Sequence, residues 1–198
     1  LFLPVIFALS PAASAAPATM PATHPSDPAG QDKLGLQLFL QKKYPEAAVW
    51  FRRSAEQGDA VGEASLGSMY DRGLGMPVDV TEALKWFRKA ADQGLARGQT
   101  DLGAMYERGR GVPQDYAQAL YWYRQAADQG DTYGEYYLGF LYATGHGVPH
   151  DDAQAAVWFR KAADQGWSTA QAALGRAYRF GYGVPRDTQQ AIRWYRLA

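Results

Sequence analysis

Apolar residues fall along this chain in short helical stripes punctuated by glycine. Leu66 and Tyr70 stand four apart, on one face of an α-helix, and Gly73 is placed to end that stripe. Ala83, Trp86, Phe87, Ala90 and Ala91 form a second stripe, closed by Gly94. The pattern then begins again. Trp50, Trp86, Trp122, Trp158 and Trp194 are each 36 residues apart. The same interval separates Gly58, Gly94, Gly130 and Gly166, and the pairs Leu66-Gly67, Leu102-Gly103, Leu138-Gly139 and Leu174-Gly175. Tyr70, Tyr106, Tyr142 and Tyr178 keep it too, as do Pro77, Pro113, Pro149 and Pro185. Independent columns sharing one period mark an internal repeat.

Each unit reads as two helices. The second opens on an aspartate followed three residues later by Glu or Gln: Asp79/Glu82, Asp115/Gln118, Asp151/Gln154 and Asp187/Gln190. That spacing predicts a capping box, in which the aspartate accepts from a free N–H and the Glu or Gln side chain returns the bond. One hairpin cannot bury both its faces, but stacked hairpins can. The expected fold is all-α, a right-handed α-solenoid of helix-turn-helix repeats. The repeats fall at about 31–58, 59–94, 95–130, 131–166 and 167–198, the last incomplete. The first is shorter and lacks the glycine loop.

The stretch "LGAMYERGRGVPQDYAQALYWYRQAADQG" resembles the Sel-one-like repeat family, relatives of the tetratricopeptide repeats. The Leu-Gly pair, the Tyr, the Gly-x-Gly-Val loop, the Asp, the Trp-aromatic pair and the Ala-Ala-x-x-Gly ending carry the likeness. It extends over residues 59–198 and, more weakly, 31–58. The resemblance implies a non-catalytic scaffold or adaptor that binds other proteins, with the first helix of each unit lining a concave surface.

Other features change the picture less. "LFLPVIFAL" followed by Ala13-Ser14-Ala15 reads as a truncated signal peptide over residues 1–15, which predicts export, to a bacterial periplasm or beyond. With no initiator Met and an unfinished final repeat, truncation at both ends is expected. Residues 16–30, with Pro17, Pro21, Pro25 and Pro28, read as a disordered linker. Lys plus Arg (20) equal Asp plus Glu (20), which argues against a nucleic-acid partner. The chain has no cysteine, so disulfides and thiolate chemistry are excluded. The apolar run is too short to span a bilayer, so stable membrane insertion is not expected.

No catalytic, cofactor or metal constellation emerges. The Gly-rich loops precede helix N-termini already claimed by an aspartate, which would repel phosphate. His146 and His150 flank a Gly-Val-Pro loop that cannot be helical, and read as exposed loop residues, with a weak metal site as the alternative. No serine stands in an S-x-x-K or G-x-S-x-G setting.

Residues that break the repeat are the informative ones. On a helical wheel with the Leu of Leu-Gly at zero, Tyr136, Phe140 and Tyr133 fall near 160°, 200° and 220°, away from the core, with Tyr137 on the flank near 260°. Sister units carry Ala64, Ser68 and Val61; Thr100, Ala104 and Arg97; Ala172, Arg176 and Thr169 in the first three columns. The next unit adds Arg176, Arg179 and Phe180. Charge follows the same division, the fourth unit being acidic and the fifth basic. The expected partner site therefore comprises Tyr133, Tyr136, Tyr137, Phe140, Arg176, Arg179 and Phe180, since Tyr and Arg favour binding hot spots. The alternative is that these aromatics pack between neighbouring first helices. A protein or peptide partner is the first reading. A carbohydrate-binding module for exopolysaccharide or cell-wall glycan, stacking sugar on the fourth unit's aromatics, is the second.

Overall fold

The computed structural model describes residues 25–198; the expected signal peptide and residues 16–24 of the expected linker lie outside them. Among the described residues there are ten helices and no strand. They are α1 (Pro28–Leu40), α2 (Tyr44–Glu56), α3 (Ala60–Arg72), α4 (Val80–Asp92), α5 (Ala96–Arg108), α6 (Tyr116–Asp128), α7 (Thr132–Thr144), α8 (Asp152–Asp164), α9 (Ser168–Phe180) and α10 (Thr188–Leu197). Each odd-numbered helix pairs with its successor as a hairpin, and each hairpin packs on the next. The linker expected to run to residue 30 ends earlier. Asp27 caps α1 by accepting from the Gly30 N–H at 2.7 Å, and Pro28 fits the first turn, where its missing N–H costs nothing.

The Leu-Gly pair has a packing cause. The leucine (Leu66, Leu102, Leu138, Leu174) is buried in the hairpin core. The glycine lets the facing aromatic of the second helix lie flat on the first. A Cβ at Gly67, Gly103 or Gly139 would meet the ring of Phe87, Tyr123 or Phe159 at 2.8–2.9 Å. The loop glycine Gly147 has a different duty. Its φ of +70° is left-handed, and a Cβ there would lie 2.5 Å from the Tyr116 carbonyl oxygen at the head of α6. Only glycine lets this loop dock on the preceding unit.

The capping box forms by half. Asp79 Oδ1 accepts from the N–H groups of Thr81 (3.1 Å) and Glu82 (3.0 Å), and Asp115 repeats this with Ala117 (2.9 Å) and Gln118 (3.0 Å). The return bond is replaced. The Asp79 N–H donates to the Tyr70 carbonyl at 3.1 Å, and Asp115, Asp151 and Asp187 do likewise with Tyr106, Tyr142 and Tyr178. With the donor taken, Glu82 turns down its helix to accept from Lys85 and Trp86 Nε1, both at 3.0 Å. The Tyr column therefore works at both ends. Its hydroxyl accepts from an arginine on the preceding unit: Arg52 to Tyr70 at 2.6 Å, Arg88 to Tyr106 at 2.5 Å, then Arg124 to Tyr142 and Arg160 to Tyr178.

First helices form the inner face. α1 approaches α3, α3 approaches α5, and α5 approaches α7, whereas the second helices of successive units do not come together in this way. At the first of these junctions Asp32 on α1 faces Asp59, the N-cap of α3. Burial, with the Asp59 carboxylate adding to it, pushes Asp32 up to about 7 from an ordinary value of 3.8. The third junction shows the reason, because there the Thr100 hydroxyl donates to the N-cap Asp131 at 2.8 Å. A protonated Asp32 serves Asp59 as Thr100 serves Asp131. A carboxyl whose folded value is raised stabilises fully below its unfolded value and loses that contribution as pH rises through the folded one. Asp32→Asn keeps a donor at every pH. It should therefore melt above the parent at pH 8, with the two curves converging by pH 4; equal melting temperatures at pH 8 would contradict this.

Candidate functional site: a concave groove across the second to fourth repeats

The inner face is not uniform, because its columns are not. Ser68 on α3 and Ala104 on α5 share the position that holds Phe140 on α7. Ala64 and Thr100 likewise correspond to Tyr136. Small residues on α3 and α5 beside aromatic ones on α7 leave a groove of about 500 Å³. Its floor includes Ser68, Thr100, Ala104 and Met105, and Tyr133 and Tyr137 form one wall. Four arginines (Arg72, Arg97, Arg108, Arg110) and three aspartates (Asp71, Asp101, Asp131) line the rest.

The charges are partly spent on one another. Arg110 Nε lies 3.1 Å from Asp71 Oδ1, and its Nη2 donates to the Asp71 carbonyl at 2.8 Å. Arg97 Nε is 3.8 Å from Asp101 Oδ2, a long contact. Asp131 caps α7 through the Gly134 N–H at 2.7 Å while accepting from Thr100. Burial raises Asp101 to about 6; Arg97 and Arg72 oppose the rise, and Asp71 and Asp131 add to it.

The seven residues expected to form the site divide into three groups. Tyr133 is 56% exposed and, with Tyr137, faces the groove. Tyr136 and Phe140 are half-buried and pack against the core formed by α8, α9 and α10. Tyr136 lies 5.5 Å from Phe159 between ring centroids, and burial raises its hydroxyl pKa. Arg176, Arg179 and Phe180 are exposed on α9, beyond the ridge that Tyr136 and Phe140 make, and do not line the groove. Phe180 stacks on Tyr182 at 5.6 Å instead, with Arg179 over its ring at 5.0 Å. The loop histidines also part company: His146 stacks on Tyr116 at 4.4 Å, and His150 Nε2 reaches Asp152 at 3.2 Å.

Two contributions escape a search for aromatics on one helix. Trp167 packs against Tyr136 at 4.5 Å and Tyr133 at 4.7 Å, holding the exposed ring in place. It occupies the N-cap column, where sister units have Asp59, Leu95 and Asp131, and α9 has no side-chain cap as a result. A missing cap costs about 1 kcal/mol, so the substitution was itself a signal. The charged residues of the third repeat are the other contribution. Asp101 stands where its sisters are Ser65, Tyr137 and Ala173, a departure as sharp as the aromatic one.

Comparison with known proteins agrees with this architecture. The Sel1 repeat profile matches residues 30–59, 60–95, 96–131, 132–167 and 168–198. Among solved structures, the chain is similar to c5321, a protective antigen present in uropathogenic Escherichia coli strains, at 37% identity and a TM-score of 0.76 over 86% of this chain. This chain spans only 37% of that protein's length. A Sel1 repeat protein from Oxalobacter formigenes is 34% identical, with a TM-score of 0.79 over 87% of this chain and 70% of the other. Helicobacter pylori cysteine rich protein B is 27% identical, with a TM-score of 0.52 over 65% of this chain and 93% of the other. No curated protein matches the chain. Among the described residues no helix is long and apolar enough to cross a membrane. Five contiguous repeat matches, on hairpins that stack as the periodicity requires, make this chain a member of the Sel1 repeat family, whose repeats are typically protein-interaction scaffolds and generally non-catalytic.

Proposed function

We propose that the protein is an exported, non-catalytic scaffold that binds a segment of a partner protein in the concave groove of its second to fourth repeats. One observation carries this reading. Departures from the repeat concentrate on the inner face, where small residues open a groove and Tyr133, Tyr137 and a set of charges furnish it. The core-facing sides of the same helices keep the repeat and hold the fold. The apolar run before Ala13-Ser14-Ala15 supports export to the periplasm or beyond, and the similar c5321 is described as a protective antigen. Arg176, Arg179 and Phe180 would extend the surface past the aromatic ridge for a longer partner.

A second reading, binding of an exopolysaccharide or cell-wall glycan, draws on the exposed Tyr133 ring backed by Trp167. Aromatic faces of this kind stack on sugars. Capture from an envelope extract by the immobilised full chain separates the two. Retention of a discrete protein that free oligosaccharide does not elute is the expected result. Elution by oligosaccharide would favour the glycan reading.

A further inference from the structure

We propose that the groove receives an acidic stretch of the partner protein, its carboxylates held by Arg72 and Arg108 and an apolar or aromatic residue further along the same segment resting on Tyr133. This rests on the reading of the groove as the partner site and names the chemistry that fills it.

The groove's internal pairing leaves cations over. Asp71 is taken by Arg110, Asp101 by the long contact with Arg97, and Asp131 by its capping bonds and Thr100. Arg72 and Arg108 have no carboxylate within 4.0 Å among the described residues, and both are exposed. They occupy the same repeat position on α3 and α5, adjacent helices running in parallel, so they form a pair on one side of the groove.

A structural role for them is available, because a cation in the last turn of a helix is worth about 0.3–1 kcal/mol against the helix dipole. The repeat argues that this is not the whole account. Thr144 ends α7 and Phe180 ends α9 at the same position, each followed by a left-handed glycine as Arg72 and Arg108 are. The helix end does not require the charge.

Asp101 is the acid beside the pair whose charge is least spent, its contact with Arg97 being long. Its Oδ2 is shut off from solvent and accepts no hydrogen bond. Arg97 on its own helix, Arg72 and Asp71 from α3, and Asp131 at the head of α7 surround it electrostatically. Burial holds its carboxyl up, at about 6, so mild acid neutralises it while leaving most ligand carboxylates ionised. An acidic ligand should therefore bind more tightly at pH 5.5 than at pH 7.5. From the ends of α3 and α5 to the head of α7 the path is diagonal, about 20–25 Å. Roughly seven extended residues cover it.

The test uses the full chain and fluorescein-labelled fourteen-residue peptides, each with four test residues, a six-residue Gly-Ser spacer and then a tryptophan, read by anisotropy. With acidic test residues, binding at low salt should be at least tenfold tighter than with glutamine, and tighter again at pH 5.5. Arg72→Gln combined with Arg108→Gln should remove that tenfold while leaving the helical circular dichroism unchanged. Equal affinity for acidic and glutamine peptides, with Tyr133→Ala weakening both, would overturn the acid preference but leave the groove reading intact. Tighter binding of a lysine peptide would overturn it in favour of a basic ligand at Asp101. Displacement of the acidic peptide by lower concentrations of oligogalacturonate would assign the site to an acidic glycan. Failure of every peptide to bind would also overturn the inference, and the capture experiment would then decide the groove reading separately.

Discussion

Gly103→Val should cost about 3 kcal/mol of stability and lower the melting temperature by about 6–12 °C. A Cβ at this position lies 2.8 Å from two ring carbons of Tyr123, before any branch is added. The ring cannot retreat. Tyr123 is fully buried, its hydroxyl donates to Glu107 at 2.6 Å, and Tyr137 stacks on its ring with centroids 5.1 Å apart. Burial and the Glu107 carboxylate raise the Tyr123 hydroxyl far above its ordinary range, so the tyrosine keeps its proton and remains a donor. Removing a glycine from a helix interior gains roughly 0.5 kcal/mol of propensity, too little to offset the clash. Thermal and urea unfolding check the prediction. A loss below about 1 kcal/mol would mean that the hairpins slide apart more easily than the packing implies.

The second large effect separates residues that look alike on the helical wheel. Tyr136→Ala together with Phe140→Ala should cost about 3–4 kcal/mol, since each half-buried ring gives up roughly half the value of a fully buried one. Both rings pack against the core of the last two hairpins, and Tyr136 also supports Trp167. Tyr133→Ala removes a ring that is 56% exposed, at a cost below about 1 kcal/mol from the lost Trp167 contact. Yet Tyr133→Ala should weaken partner binding at least tenfold. Urea unfolding midpoints and binding measured on the same preparations read both effects. A stable Tyr136/Phe140 double variant would mean that the aromatic ridge is idle in folding and free for a ligand.

The architecture was legible because the same contacts recur every 36 residues. A Leu-Gly pair and a facing aromatic report one close helix crossing, and repetition removes the ambiguity a single instance would carry. The half-formed capping box was not legible. Its missing bond goes to the carbonyl of a tyrosine on the preceding helix, and nothing in the Asp-x-x-Glu spacing announces a competitor. Of the site, the exposed Tyr133 was readable as a break in its column. The groove itself was not, because it exists only where Ser68 and Ala104, ordinary small residues 36 apart, come side by side under the aromatics of α7. Asp101 and Trp167 broke their columns just as plainly as Tyr133, but a search confined to aromatics on one helix passes over both. Arg176 and Arg179 share the wheel position of the site without sharing its cavity, since Tyr136, Phe140 and Trp167 fill the space between.

The central claim is that a partner protein occupies the groove. The most direct measurement is site-specific photocrosslinking of the full chain in envelope extract, with p-benzoylphenylalanine replacing Tyr133 in one preparation and Tyr121 in another. Tyr121 is 52% exposed on α6, outside the groove, and serves as the control. A discrete protein adduct from position 133, absent from position 121 and reduced by Arg72→Gln with Arg108→Gln, is the predicted result. The same adducts from both positions, or none from position 133 while the chain still captures its partner, would contradict it.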